Sequence, residues 1–249
     1  MIKHDSIQNQ DEGSSPISPL QCHQYLIRKK EEKEGVIPSV SLELAKSTIK
    51  EIPISVAKPI ILRYEWLGKM PGFSCLAYGH YFEEELGGVV LLGHTTGSNN
   101  AFTKLFPNKK VIVLQRGVHL WWTPKNSASW FISKVCKILS KKGYDIITAT
   151  ADEEAGEVGT IYQALNWKYL GSMKHGHPVF IIDGKETHPK TLYDKHGTSS
   201  VKKIQEIYGE RVIIKKRIFK HRYVFSLKKE IKINSLPYIK REKENNLES

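Results

Sequence analysis

The sequence predicts a mixed α/β domain of α+β character, an antiparallel meander of three strands joined to a strand-helix-strand-helix-strand unit. Three observations carry this reading. Between residues 73 and 122, β-rich runs follow one another with Gly, Asn and acidic turn residues between them, the mark of sequential antiparallel strands. Over 127–143 the apolar period lengthens to that of a helix, with Phe131, Val135, Ile138 and Leu139 on one face. The run "YDIITAT" from Tyr144 is then a short buried strand. A strand, helix and strand at this spacing form a crossover, so the strands at Val111 and Asp145 are expected to run parallel in one sheet.

The elements follow in order. Residues 1–18 are polar, and 28–35 form a mixed charge run, both expected as a mobile leader or solvated helix. Residues 41–52 fit a short amphipathic helix with Leu42, Leu44 and Ile49 inward. The stretch 54–66 is β-rich but carries Pro59, which favours an edge or a break. Two strands joined around residues 84–88 and a third over 110–122 make the meander. Gly143, with Lys141 and Lys142 before it, closes the long helix. The later strands "KYLGSM" and "HPVFIID" are expected to continue the sheet, 199–209 to be a helix, and 211–227 a basic strand or hairpin. No internal repeat is evident. The expected organisation is a flexible or partly helical leader over 1–52, one domain over 53–228, and a charged tail over 229–249, in keeping with the core a chain of 249 residues can bury.

Charge narrows the partner. The formal net charge is +12, and residues 185–249 hold 17 Lys and Arg against 8 Asp and Glu. Such clustering suits a phosphate-tracking surface, although a basic solvated face without a ligand would look alike. Lys215, Lys216, Arg217, Lys220, His221, Arg222 and Tyr223 are the candidate nucleic-acid contacts, with Phe219 and Tyr223 able to stack on an unpaired base. Cys22, Cys75 and Cys136 are odd in number and far apart, which supports neither a disulfide framework nor a metal knuckle and fits a reducing cytoplasm. No apolar run reaches the length of a membrane span, and the first residues lack a signal-peptide core. The expected partner is a phosphate-bearing polymer rather than a membrane, with the oligomeric state open and a homodimer among the choices.

Residues 148–171 concentrate the chemistry. Asp152 falls at the carboxyl end of a predicted parallel strand, where such sheets present ligand-binding groups. A carboxylate there could take a proton from an attacking amine, and an Asp capping the next turn would read the same. Glu153, Glu154 and Glu157 read as solvated. Tyr162 can lean over the cleft or be a rim aromatic, with Gln163 and Asn166 placed to orient it and Trp167 read as core. Arg116, inside the apolar strand "VIVLQRGVHL", needs a partner such as Asp152 or a ligand phosphate, unless it lies on the exposed face. Asn126, Ser127 and Ser129 open the long helix, which suits a donor carboxylate or phosphate, and plain capping accounts for them equally well. His175 and His177 share one face if their segment is a strand, but no third metal ligand can be named.

The element order resembles the GNAT acyltransferase fold, and "GTIYQALNWKYLG" is similar to its last motif. The set "LQRG", "TPKNSAS", "TATADEEAGEVGTIYQALNW" and "KHRYVF" is similar to the phage Mom-like DNA-modification proteins, over about residues 61–225. That resemblance implies a transferase placing a carbamoylmethyl group on the exocyclic amino group of adenine in phage DNA, which protects it from host restriction, and it narrows the expected partner to double-stranded DNA. It implies Tyr162 as general acid to a leaving group and favours Ser129 at the helix start. The usual GNAT pyrophosphate loop is absent between Gln115 and Ser129, so the activated donor is left as an acyl-CoA or an aminoacyl species. Iron enters through the resemblance alone, because no facial triad is recognisable. Two other readings stay open: an acyltransferase for a protein or small-molecule amine, and a DNA-binding protein that has lost the chemistry.

Overall fold

The computed structural model describes residues 23–94, 100–172, 178–187, 189–215 and 220–240. Its frame is a seven-stranded sheet in the order β1 (Thr48–Glu51), β2 (Leu76–Phe82), β3 (Glu85–Gly93), β4 (Val111–His119), β5 (Ile146–Asp152), β10 (Lys220–Ser226), β6 (Lys168–Ser172), with a separate three-stranded sheet in the order β8 (Lys185–Thr187), β7 (Val179–Ile182), β9 (Val212–Lys215). The meander is β2 (Leu76–Phe82), β3 (Glu85–Gly93) and β4 (Val111–His119), antiparallel throughout. Helix α4 (Ser127–Lys141) crosses over to β5 (Ile146–Asp152), which pairs parallel to β4. Helix α5 (Thr160–Ala164) and β6 (Lys168–Ser172) complete the expected run.

Helices cover both faces, and the strand alternation shows which side chains face which. Tyr78, Val90, Leu92, Ile112 and Ile147 pack with Phe131, Val135 and Leu139 of α4. The intervening Ala77, Val89 and Leu91 pack with Ala57 and Ile61 of a helix on the opposite face. Period two in the strands and 3.6 in the helices thus meet in one core.

Several expectations are corrected. Residues 54–66 are not a strand: Ile54–Tyr64 is helix α2, with Pro59 inside it. Ile54, Ala57, Ile61 and Tyr64 recur at helical spacing, and burial of that face outweighs the hydrogen bond Pro59 cannot donate. Residues 41–52 are not a helix, because Thr48–Glu51 is β1, an edge strand antiparallel to β2. The described part of the run expected over 177–183 leaves the main sheet. Its strand β7 (Val179–Ile182) pairs with β8 (Lys185–Thr187) and β9 (Val212–Lys215), and with helices α6 (Pro189–His196) and α7 (Val201–Tyr208) it encloses a small core of Phe180, Leu192, Ile204 and Val212. This unit is an insertion between β6 and the last strand.

That last strand, β10 (Lys220–Ser226), lies between β5 and β6 inside the main sheet. The chain beyond it returns along β6, where Leu236 bridges Tyr169 and the Tyr238 hydroxyl donates to the Trp167 carbonyl. Near the other end, residues 28–34 do form a helix, the latter part of α1 (His23–Glu34). Helix α3 is Asn100–Leu105. Among the described residues no helix is long and apolar enough to cross a membrane.

Candidate active site

A cleft opens where β4 and β5 part. Their parallel pairing runs from Val111 with Ile146 to Leu114 with Ala149 and then stops. The register of β4 against β3 shifts there, Leu92 facing Leu114 while Leu91 faces Arg116, so Gln115 is an extra residue. A bulge of this kind bends its strand. The separated ends enclose a cavity of about 520 Å³ whose walls include Gln115, Arg116, Gly117 and His119 on one side and Thr150, Ala151, Glu157 and Tyr162 on the other. Such a volume falls within the range for small-molecule sites. Helix α1 lies across the opening: Gln24, Arg28 and Lys29 line the cavity, and the Gln24 amide donates to the Gly117 carbonyl at 3.2 Å.

Of the expected residues, Arg116 and Tyr162 reach this wall. Arg116 does not pair with Asp152. Its Nε stands 3.8 Å from a Glu65 carboxylate oxygen, one terminal nitrogen donates to the Gln115 carbonyl, and Nε itself is buried without a hydrogen-bond partner. A buried guanidinium donor in that condition marks a place for a ligand oxygen. Tyr162 packs at a tilt against the rings of Trp167 and Tyr223. Burial, then the nearby Glu157 and Glu65 carboxylates, push its hydroxyl well above the usual phenol range, so it stays a proton donor.

Asp152 is 7% exposed, off the cavity wall, and ion-paired with Lys220 at 3.0 Å. The pairing follows from register, since Lys220 lies directly opposite Asp152 across β10 and β5. Two carboxylates that sequence reasoning passed over take the site. Glu157 is half-buried rather than on an open solvated face; it lines the cavity, and burial, followed by the Glu65 charge, raises its pKa to about 7. Glu65 also lies in the wall, raised chiefly by burial and held down in part by Arg116. Glu153 meets His221 at 2.6 Å, and nothing of the Glu154 side chain is described. The signal for Glu157 was its setting between Gly156 and Gly159, both at positive φ, a tight loop that turns the side chain between them inward. Gly159 is required there because a Cβ would meet the Tyr223 ring at 2.3 Å.

The α4 start holds its hydroxyls close. Ser127 donates to the Pro124 carbonyl at 2.6 Å and Ser129 to the Asn126 carbonyl at 3.0 Å, while Asn126 sits at φ 66° and makes no cap. The first amides of the helix are left without a capping side chain, and Ala128 brings that turn to the cavity wall. Gln163 is committed to structure, its amide donating to Val158 O, Tyr223 Oη and Ile239 O.

The expected nucleic-acid face divides. Tyr223 is fully buried in β10, inside the main sheet, so it is not a stacking platform. Arg222 donates to the carbonyls of Leu170 and Gly171, and His221 is buried. Lys215 is exposed, whereas Lys216, Arg217 and Phe219 lie outside the described residues, as do Cys22, His175 and His177. Among the described residues no cluster of three or more His, Cys, Asp or Glu could hold a metal ion.

Comparison with known proteins adds two kinds of likeness. The sequence model of the Mom protein family matches residues 46–243. The methylcarbamoylase mom of Escherichia phage Mu is 26% identical over 151 residues, an alignment covering 58% of this chain and 61% of that protein's length. Among solved structures, an N-acyl amino acid synthase from uncultured soil microbes matches with TM-score 0.45 and 13% identity over 73% of this chain and 91% of its own. A putative acetyltransferase from Salmonella typhimurium, solved with its cofactor acetyl-CoA, matches with TM-score 0.43 and 10% identity over 76% and 99%.

Proposed function

This chain belongs to the Mom protein family, and from that premise we propose that it is a GNAT-like transferase modifying the exocyclic amino group of adenine in double-stranded DNA. The observation that carries the chemistry is the cavity between β4 and β5, which gathers a proton acceptor, a proton donor and a guanidinium with one unbonded nitrogen around one space. The adenine amine is a poor nucleophile and must lose a proton as it attacks. Glu157, poised near neutrality, takes that proton as the new bond to the donor carbon forms. The bond to the leaving group breaks, and the Tyr162 hydroxyl gives its proton to the departing atom. Arg116 steadies the oxygen of the transferred group. Asp152 works from behind the wall, where its backbone hydrogen bond holds the Glu157 carboxyl down more than its charge raises it.

The donor is an activated species of the acyl-CoA or aminoacyl class, a carbamoylmethyl group being the transfer implied by the Mom-like motifs. The uncapped first turn of α4, over Asn126, Ser127 and Ser129, would receive its anionic part through backbone amides. To present an atom engaged in base pairing, the adenine must leave the stack. The insertion carrying exposed Lys185, Lys195, Lys202, Lys203 and Lys215 supplies the phosphate contacts. A phage-encoded protein of this kind acts in the host cytoplasm and protects the genome against restriction. The alternatives of another amine acceptor or a non-catalytic binding protein are not favoured by the family assignment.

Mass spectrometry of nucleosides from plasmid DNA of expressing bacteria tests the reading. A new adenosine adduct is expected, and Tyr162→Phe and Glu157→Gln should abolish it. Unmodified DNA in cells holding abundant folded wild-type protein would overturn the proposal.

A further inference from the structure

A chain of hydrogen bonds runs from the edge of the sheet to the cavity and leaves its last nitrogen in one protonation state. The Ser47 hydroxyl lies 2.7 Å from the Leu44 carbonyl, which can only accept, so its single proton is spent there. Toward His80 Nε2, at 2.8 Å, the same oxygen must accept, and Nε2 carries the hydrogen. A neutral imidazole has one such hydrogen, so His80 Nδ1 is bare. It stands 3.2 Å from His119 Nε2, which therefore donates. By the same count His119 Nδ1 is bare as well. Protonating His80 would set its new Nδ1–H against the His119 Nε2–H.

The surroundings keep both rings neutral and in place. Burial holds His80 at about 4, and burial together with its neighbours His80 and Arg28 holds His119 at about 3. His80 stacks on Trp130 and Phe131, and the edge of His119 meets Phe131. Gly88 allows the His119 ring to lie flat on the sheet, because a Cβ there would fall 2.6 Å from His119 Nε2. His119 lines the cavity, and among the described residues nothing hydrogen-bonds to its Nδ1.

We infer that Ser47 and His80 are positioning residues that hold the neutral His119 ring in its Nε2–H tautomer, so that Nδ1 is a hydrogen-bond acceptor on the cavity wall, where it selects a substrate edge bearing an N–H. This rests on the proposed reading for the identity of that edge. An amino group has two hydrogens, one for Glu157 and one for His119 Nδ1. A carbonyl at the same position, as on guanine, would face lone pairs from both, and unpaired polar groups in such a site are strongly rejected. The lock therefore contributes to choosing adenine.

Histidine-selective 15N labelling of the full chain, read by long-range proton–nitrogen correlation spectra, tests the lock without any substrate. His80 and His119 should each show a protonated Nε2 and a bare Nδ1, unchanged across neutral pH. Ser47→Ala should mix the tautomers of both rings, and Ser47→Thr, which keeps the hydroxyl, should restore them. A proton on His119 Nδ1 in the wild type, or an unchanged His119 tautomer in Ser47→Ala, would overturn the inference. In the plasmid assay Ser47→Ala should lower modification about tenfold with Ser47→Thr near wild type, in line with the loss of one hydrogen bond. An intact tautomer lock with no adduct on wild-type DNA would sink the adenine reading and leave the lock standing.

Discussion

At the scale of single residues, Glu157 joins the chemistry to the stability of the fold. Its carboxyl is raised to about 7 mainly by burial, so activity should rise with pH and level off above an apparent value near 7, as for a base that must be ionised. Glu157→Gln should remove that limb and lower the rate by roughly 10²–10⁴-fold, the range for a lost general base. The same shift has a stability consequence. A carboxyl with a raised folded pKa contributes stability below its unfolded value and loses it as pH rises through the folded one. Above pH 7 the buried charge is therefore a cost, and Glu157→Gln should be more stable than wild type at pH 8 by about 1–2 kcal/mol, allowing for partial exposure. At pH 5 most of the difference should vanish, which urea unfolding at the two pH values measures. A variant that gains stability while losing turnover is the signature of a group kept for catalysis.

At the scale of elements, the site depends on how strands separate. The bulge at Gln115 and the parting of β4 from β5 after Leu114 turn a sheet interior into a cleft. Glycine at position 88 is part of the same construction. Gly88→Ala should push His119 off its seat, cost about 1–3 kcal/mol as an overpacked contact does, and mix the His119 tautomers, all visible in thermal melts and nitrogen spectra. The meander and the β4-α4-β5 crossover were legible because each has its own local period. Residues 54–64 were not, since Pro59 and β-branched residues spoke for a strand, while the decisive fact was burial of Ala57 and Ile61 against β3. Tyr162 and Arg116, read as candidates from their motif and their cost inside an apolar strand, both reach the cavity wall. Glu65, Glu157 and His119 were not read so, because an isolated acid or histidine has no meaning until a neighbour is brought to it.

For the whole molecule, the basic surface divides between structure and binding. The charge near the end of the chain read as one tail, but Lys220 and Arg222 are consumed by Asp152 and by the carbonyls of Leu170 and Gly171. The exposed lysines of the insertion remain. Lys202→Ala, Lys203→Ala and Lys215→Ala should each weaken DNA binding and reduce the salt slope by about one. Lys220→Ala should act chiefly through Asp152, and fluorescence anisotropy against salt separates the two effects.

The meander with its β4-α4-β5 crossover, the family motifs and the excess of positive charge were set by the sequence alone, because periodicity, turn chemistry and net charge are local or additive. The placing of β10 between β5 and β6, the insertion as a separate small core, and the meeting of Glu65, Arg116, His119, Glu157 and Tyr162 around one cavity came only with the tertiary structure. Those features depend on pairing segments far apart in the chain. Closing so long a loop is opposed by chain entropy and repaid only when the whole core is buried.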